Sequence, residues 1–189
     1  MAVNLYLEDW SSGMKDSPDY VFKMMDALVE SGIKRFLLPD TLGILNPMEV
    51  TKYFGQMVER YPDTNFEFHA HNDYDLAVAN SLAAVVSGAS GLHVTVNGLG
   101  ERCGNAPLAS VQAILKDQLG IETSIREDRL GEISRLVEGY SGIAIAPNQP
   151  IVGENVFTQV AGVHADGDNK DNLYCNNLVP ERFGRKREY

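Results

Sequence analysis

Cysteine is scarce in this sequence, and long hydrophobic runs are missing. Cys103 and Cys175 are the only cysteines among 189 residues, too few for a disulfide framework and without the paired spacing of a metal site. No stretch approaches the run of about 18 apolar residues that a membrane span needs. The N-terminus has no basic segment followed by an apolar one, so we predict no signal peptide and no membrane association, and a reducing cytoplasm as the location.

Basic charge is also in short supply. Lys and Arg total 16 against 26 Asp and Glu, which gives a net charge of −10. The one basic cluster is the short terminal segment RFGRKREY. Since nucleic-acid binding depends on clustered Lys and Arg, this balance disfavours a nucleic-acid partner. The hydrophobic fraction of 44% is that of an ordinary globular chain, with room for one domain or a large piece of one.

Short apolar segments alternate with helical patterns along the first 120 residues. Strands are predicted at 3–7, 35–40, 65–70 and 91–96, and helices at 18–31, 47–60, 73–89 and 106–117. The segment EDWSSGMKDSP between the first strand and the first helix is predicted to be a polar loop. A repeat of about 30 residues with this alternation indicates βα units and a parallel sheet, as in a barrel or a doubly wound fold.

The pattern changes after Gly120. Residues 126–143 are predicted to form one amphipathic helix, followed by a Pro- and Gly-rich connector and the polar segment GVHADGDNKDNLY, predicted to be a loop. We therefore divide the chain into 1–120, a series of βα units, and 121–189, a last helix, a connector and an accessory segment.

Two of the four histidines lie two residues apart at the end of a predicted strand. Residues i and i+2 of a strand point to the same side, so His69 and His71 are expected to project together. The carboxyl ends of parallel strands carry the active sites of such folds. Two neighbouring imidazoles suit a divalent metal, and Zn²⁺ in particular. Two surface histidines at a strand end would give the same pattern.

Three loops at other predicted strand ends carry further candidates. GLGERCGN, residues 98–105, offers Asn105 as an oxygen ligand, with Glu101 and Arg102 as a pair that can hold the loop. It matches neither phosphate-binding fingerprint, and a plain strand-to-helix loop explains it too. Thr41 in LPDTLG can bind a substrate carboxylate, although a helix-entry turn would give the same pattern. Glu8 in LEDW can act as an acid or base, although a carboxylate there is more often a solvated loop charge.

The remaining histidines lie in different settings. His164, with Asp166 close by, can transfer protons near neutral pH, although a single loop histidine usually has no special role. His93 is interpreted as a strand residue with a satisfied hydrogen bond and not as a ligand.

Together, LEDW, LPDTLG, HAHND, GLGERCGN and GVHADGDNKDNLY resemble the 2-isopropylmalate, citramalate and homocitrate synthases of the DRE-TIM metallolyase group. The resemblance covers essentially the whole chain, and the His-X-His plus GxGERxGN pair is specific to the group. It implies an α/β fold of the TIM type, a parallel (β/α) barrel, here a partial barrel of about four βα units followed by a helical accessory segment.

The resemblance also implies an acyltransferase reaction. Acetyl-CoA condenses with a 2-oxo acid on a divalent metal (Zn²⁺, Mg²⁺ or Mn²⁺), and CoA is released. Pyruvate as acceptor would serve isoleucine biosynthesis and 2-oxoisovalerate leucine biosynthesis, with homocitrate formation ranked third. The family's accessory segment reaches the active site of a partner subunit, so a homodimer is implied.

Family roles transfer to matching positions of this sequence. The metal ligands are then His69, His71 and Asn105. Thr41 binds the 2-oxo acid carboxylate, and Glu8 is a catalytic carboxylate near the acetyl methyl group. His164 is the accessory base, and the residues that assist it are Asp166, Asn172 and Tyr174.

One family feature has no counterpart here. The family's N-terminal Arg-Asp pair supplies the third protein ligand to the metal, and position 1 of this chain falls about halfway through the family's barrel. We therefore expect a fragment that alone is inactive and tends to associate, because an open half-barrel exposes sheet edges. The alternatives are a lyase or aldolase of the same group, such as a hydroxymethylglutaryl-CoA lyase, and a module that only binds metal.

Overall fold

The computed structural model describes residues 3–171, 173–174 and 176–187. The chain divides into two compact units, Met1–Pro107 and Leu108–Tyr189. The division inferred from the sequence after residue 120 follows the end of the repeating pattern and stays a prediction. No helix in the described ranges is long and apolar enough to cross a membrane.

The first unit alternates strands with helices, as the sequence predicts. Its elements are β1 (Asn4–Tyr6), α1 (Trp10–Asp16), α2 (Pro18–Glu30), β2 (Arg35–Asp40), α3 (Pro47–Arg60), β3 (Asn65–Ala70), α4 (Ala77–Val86), β4 (Gly91–His93) and a 3₁₀ turn (Val96–Gly98). The strands form one parallel sheet in the order β1-β2-β3-β4. The predicted parallel α/β architecture is confirmed, and β2 and β3 begin and end where the sequence pattern places them.

The two faces of the sheet differ in polarity. Phe36, Phe66 and Phe68 are almost fully buried on the face covered by helices. The ring of Phe54, from α3, meets the rings of Phe66 and Phe68 edge-on, with centroids 6.3 and 5.9 Å away. The alternate residues of the strands lie on the other face, where Pro39, His69 and His93 are aligned across β2, β3 and β4. On that face Glu67, His69 and His93 are only partly buried, beside the buried Leu37 and Pro39.

Phe54 lies at the centre of this core, so shortening its side chain should destabilise the fold. Phe54→Ala is expected to reduce the free energy of unfolding by about 3–5 kcal/mol, because it leaves a cavity between α3 and the sheet. Denaturant unfolding of this chain followed by circular dichroism measures the change. Met48→Ala, at a side chain 78% exposed, is the control and should cost little. A loss below about 1 kcal/mol for Phe54→Ala would contradict this packing.

The first of two loops predicted from the residue pattern is wrong. The segment EDWSSGMKDSP contains helix α1, Trp10–Asp16. Trp10 and Met14, one helical turn apart, are both 2% exposed, and Trp10 meets the Phe54 ring edge-on. Two buried residues among polar neighbours give too weak a periodic pattern to detect, so tertiary packing decides this helix.

Other predicted boundaries also shift. The helix predicted at 73–89 is Ala77–Val86. The fourth strand ends at His93 rather than at residue 96, and a 3₁₀ turn with Asn97 at φ 60° follows. The predicted helix 126–143 is a 3₁₀ turn, Glu127–Arg129, followed by an α-helix that Gly142 ends in the left-handed conformation, at φ 70°.

The second unit contains three α-helices within its described residues: α5 (Leu108–Leu119), α6 (Leu130–Ser141) and α7 (Gly162–Asp171). α7 occupies the polar segment that the residue pattern predicts to be a loop, and it agrees with the helical accessory segment that the family resemblance implies. Its sequence has no apolar face, so no helical signal was available. The unit's core is formed by Ala109, Ala113, Leu130, Ile151, Val152, Phe157 and Phe183.

An ion-pair network links separate parts of the second unit. Arg182 donates from Nε to Glu127 Oε2 at 2.6 Å and from Nη1 to Asp117 Oδ1 at 2.7 Å. These carboxylates raise the pKa of Arg182, and the guanidinium in turn lowers the pKa of Glu127. The side chains are largely buried, so removing one partner would leave an uncompensated charge.

Candidate metal and acceptor site

The candidate site lies in the first unit, where the parallel strands end. We call the segments that follow β1, β2, β3 and β4 the β1 loop (7–9), the β2 loop (41–46), the β3 loop (71–76) and the β4 loop (94–107). Parallel strands direct their carboxyl ends to one edge of the sheet, so these loops meet there.

The two histidines predicted to project together do so. The ring centroids of His69, in β3, and His71, just after it, are 5.0 Å apart. Burial, helped by the nearby His71 and His93, lowers the pKa of His69 to about 4. At neutral pH His69 is therefore uncharged, which is the form that binds a metal ion.

Asn105 is held beside His71 by the backbone. The two residues form an isolated antiparallel bridge, flanked by bonds from Asn72 N to Gly104 O, 2.9 Å, and from Ala106 N to Ala70 O, 3.1 Å. The side-chain nitrogen of Asn105, Nδ2, donates to Leu99 O at 3.0 Å, which fixes the orientation of the side chain. The family resemblance groups Asn105 with the histidines, and the structure pairs it with His71 through this bridge.

Two buried polar atoms at this point have no hydrogen-bond partner within the part of the chain described. They are His71 Nδ1 and Asn105 Oδ1. A buried polar atom without a partner costs about 1–3 kcal/mol, so a water or a ligand is expected to satisfy these two atoms. Two imidazoles and an amide oxygen fit part of a divalent-metal site. Among the described residues no three His, Cys, Asp or Glu side chains are grouped to hold a metal.

Two glycines make room for Asn105. A Cβ on Gly100 would lie 2.1 Å from Asn105 Nδ2, and one on Gly104 would lie 2.0 Å from Gly98 O. Gly104 also has φ +83°, which other residues rarely adopt. The β4 loop can place Asn105 only because these side chains are absent.

Gly100→Ala is expected to displace the Asn105 amide and weaken divalent-metal binding by about 10–100-fold, the usual effect of disturbing a supporting group. Titration with Zn²⁺ or Mn²⁺ followed by calorimetry measures this. The matched control is Gly139→Ala, in α6, where the new Cβ would have no described atom within 4 Å apart from the helix's own backbone and the adjoining residues. Equal metal affinity in both variants would contradict the role of Asn105 in metal binding.

Thr41 and Glu8 are linked through the backbone. The amide of Asp9 donates to Thr41 Oγ1 at 3.0 Å, so the hydroxyl proton of Thr41 remains available to a ligand. Asp9 adopts φ 57°. Glu8 is exposed in the same loop. Burial, and to a smaller extent the charge of Glu8, raise the pKa of the neighbouring Tyr6 to about 12.

Sequence reasoning missed the partners of two charged residues here. Arg102 was paired with Glu101, but that contact is 3.9 Å, whereas Arg102 Nε donates to Asp73 Oδ1 at 2.7 Å. Asp40 is fully buried and accepts from the amides of Ile44 and Leu45, both at 3.0 Å. Both contacts are tertiary or turn-specific, and no spacing in the sequence signals them.

His93 makes the contact expected of it. Its Nε2 lies 2.7 Å from Glu67 Oε2 on the neighbouring strand. Arg35 Nε lies 3.2 Å from the other oxygen of the same carboxylate. His93 is therefore engaged by Glu67 on the face of the sheet that carries His69.

In the second unit, His164 lies on α7 and its ring is 4.4 Å from that of Tyr174, between centroids. Gly167 permits this contact, since a Cβ there would lie 2.6 Å from Tyr174 Cε2. Asp166 is exposed and pairs with Lys170 at 2.6 Å. Asn172, predicted to assist His164, lies outside the described residues. The structure thus brings two of the predicted accessory residues together, His164 and Tyr174.

Comparison with known proteins gives the family. The HMGL-like family model matches residues 3–137. The chain is 39% identical over its whole length to a putative (R)-citramalate synthase of Methanopyrus kandleri, of which it covers 37%. It is 45% identical over 170 residues to a homocitrate synthase of Sulfolobus acidocaldarius, and 44% over 169 residues to a probable 2-isopropylmalate synthase of M. kandleri. The match to the homocitrate synthase covers 90% of this chain and 36% of that relative, and the match to the 2-isopropylmalate synthase covers 89% and 34%.

Solved structures agree on the fold. An HMG-CoA lyase from Bacillus subtilis superposes with a TM-score of 0.68 at 26% identity, over 77% of this chain and 51% of that one. The chain belongs to the HMGL-like (DRE-TIM) family, and its first unit is part of a TIM-type barrel. Its relatives at 39–45% identity are citramalate, homocitrate and isopropylmalate synthases, and the chain spans just over a third of their length.

Proposed function

We propose that this chain supplies the metal-binding and acceptor-binding part of an enzyme that condenses acetyl-CoA with a 2-oxo acid. The observation that carries the proposal is the meeting of His69, His71 and Asn105 at the end of the sheet, where two buried polar atoms have no partner among the described residues. The synthase relatives support the reaction class. Synthases of this family depend on a divalent metal and acetyl-CoA.

Each residue has a defined task in this proposal. His69 and His71 would hold the metal with Asn105, and the metal would act there as a Lewis acid toward the ketone of the acceptor. The Thr41 hydroxyl donates to the carboxylate of the 2-oxo acid, while its oxygen accepts from Asp9 N. Glu8 lies near the acetyl methyl group and assists its deprotonation.

The accessory residues are proposed to complete proton transfer. His164 acts as the base, with Tyr174 against its ring and with Asp166 and Asn172 assisting. The enolate carbon of acetyl-CoA attacks the ketone carbon, and hydrolysis of the thioester releases CoA. We further propose a homodimer in which α7 serves the partner's site, Zn²⁺ as the first metal to test, a cytoplasmic location, and a role in leucine or isoleucine biosynthesis.

Titration of the CoA thiol released from acetyl-CoA tests the proposal. The acceptors are pyruvate, 2-oxoisovalerate and 2-oxoglutarate, each with Zn²⁺, Mg²⁺ or Mn²⁺. The assay is run on this chain and on the longest natural polypeptide that carries the sequence, which we call the parent polypeptide. We expect release by the parent with one preferred acceptor and none by the 189-residue chain alone.

A carbon–carbon lyase is the second candidate, favoured by the superposition on an HMG-CoA lyase. It predicts no CoA release from acetyl-CoA with any acceptor, and cleavage of 3-hydroxy-3-methylglutaryl-CoA instead. Zinc binding without either reaction in the parent would favour a module that only binds metal.

A further inference from the structure

Three loops meet around one arginine in the first unit. Arg102 lies in the β4 loop, and its side chain forms hydrogen bonds with the β3 loop and with the β2 loop. Nε donates to Asp73 Oδ1 at 2.7 Å and Nη2 to Asp73 Oδ2 at 3.0 Å, which is a two-point contact with the β3 loop. Nη2 also donates to the backbone oxygen of Thr41 at 2.8 Å, in the β2 loop. One guanidinium therefore links the loops that carry Thr41, His71 and Asn105.

The backbone is shaped for this contact. Arg102 adopts φ 53°, an uncommon conformation for a residue with a side chain. Gly43, at φ +61°, lets the β2 loop approach the β3 loop, since a Cβ there would lie 2.9 Å from Asp73 Oδ2 and 3.0 Å from His71 O. The left-handed residues on both sides of the contact indicate that these loops are fitted to each other around Arg102.

Stability alone does not account for this arrangement. The Arg102 side chain is 38% exposed and that of Asp73 21%, so solvent screening limits what this ion pair contributes to folding. The bond to Thr41 O has a more specific consequence, because the adjacent Thr41 side chain also accepts the amide of Asp9. Fixing the Thr41 peptide therefore fixes the direction of its hydroxyl and the position of the β1 loop.

We propose that Arg102 is a positioning residue that, with Asp73, holds the Thr41 hydroxyl in register with the His69–His71–Asn105 group, so that a 2-oxo acid carboxylate and its ketone are bound at a fixed separation. The proposal rests on the proposed function for the identity of the ligand. Arg102 acts through Thr41 and does not contact the acceptor. These contacts require the planar guanidinium of an arginine, because Nη2 donates to both Asp73 and Thr41 while Nε donates to Asp73.

The test uses Arg102→Lys and Asp73→Asn in the parent polypeptide, with Arg126→Lys as the matched control. Arg126 makes a similar two-point contact with Asp128, at 2.7 and 3.3 Å, on an exposed surface of the second unit. Both site variants should raise KM for the 2-oxo acid by about 10–100-fold, because a misplaced binding group is costly. KM for acetyl-CoA and the melting temperature should stay close to those of the control.

Hydrogen–deuterium exchange provides a readout independent of activity. The Asp9 amide, which donates to Thr41 Oγ1, should exchange about tenfold faster in both site variants and unchanged in the control. Unchanged exchange at Asp9, or equal increases in both KM values, would overturn the positioning role. If the wild-type parent releases no CoA with any acceptor, the proposed reaction fails, while exchange at Asp9 still decides whether Arg102 holds the Thr41 loop.

Discussion

His71→Ala in the parent polypeptide is expected to abolish tight binding of the divalent metal and to lower CoA release by about a thousandfold. A metal that polarises a carbonyl is worth several kcal/mol in the transition state, and about 1.4 kcal/mol corresponds to a tenfold change in rate. His71 carries a buried ring nitrogen without a partner in the described chain, beside an equally unpaired Asn105 Oδ1. Metal content by mass spectrometry and CoA release by thiol titration measure the two effects.

The control for this variant is another histidine on the same sheet. His93 is aligned with His69 across β3 and β4, but it is engaged by Glu67 at 2.7 Å. His93→Gln should retain the metal, with a loss of CoA release much smaller than that of His71→Ala. Wild-type metal affinity in His71→Ala, or equal losses in the two variants, would refute the assignment of His71.

His164→Ala in the parent is expected to lower kcat by about 10²–10⁴-fold while metal binding stays unchanged. General acid–base groups contribute rate enhancements of this size. His164 is not one of the proposed metal ligands, and its ring lies 4.4 Å from the ring of Tyr174, between centroids. Steady-state kinetics and metal titration give both values. Val163→Ala, at an adjacent exposed side chain, is the control and should keep its activity.

The same variant tests whether α7 serves a partner subunit. Random mixing of His164→Ala with His69→Ala subunits gives heterodimers in half of the molecules, each with one intact site if the residues act across subunits. About a quarter of the wild-type activity should then return. No recovery in a mixture shown to exchange subunits would contradict action in trans.

The sequence predicted the sheet well because its signals are local. RFLLPD and NFEFHA read directly as buried strands, and both are strands in the structure at those positions. The His-X-His pair follows from the two-residue period of a strand, so its shared direction was also predictable. Helix α1 and helix α7 were not, because Trp10 and Met14 depend on contacts with other elements, and the sequence of α7 has no apolar face.

The candidate site was also predictable only in part. Thr41 and Asn105 were identified from strand ends and from family motifs, but no pattern in the sequence indicates that Arg102 reaches Asp73, 29 positions earlier, and Thr41, 61 positions earlier. No pattern in the sequence indicates the role of the buried Asp40 either, since its two amide partners depend on the turn that the β2 loop adopts.

The most direct test of the central claim is a crystal structure of the parent polypeptide grown with Zn²⁺ and the preferred 2-oxo acid, with anomalous diffraction measured at the zinc edge. The account predicts one anomalous peak bound by His69 and His71 beside Asn105, and the acceptor's carboxylate within hydrogen-bond distance of Thr41 Oγ1. A zinc peak away from these histidines, or an acceptor carboxylate that does not contact Thr41, would contradict it.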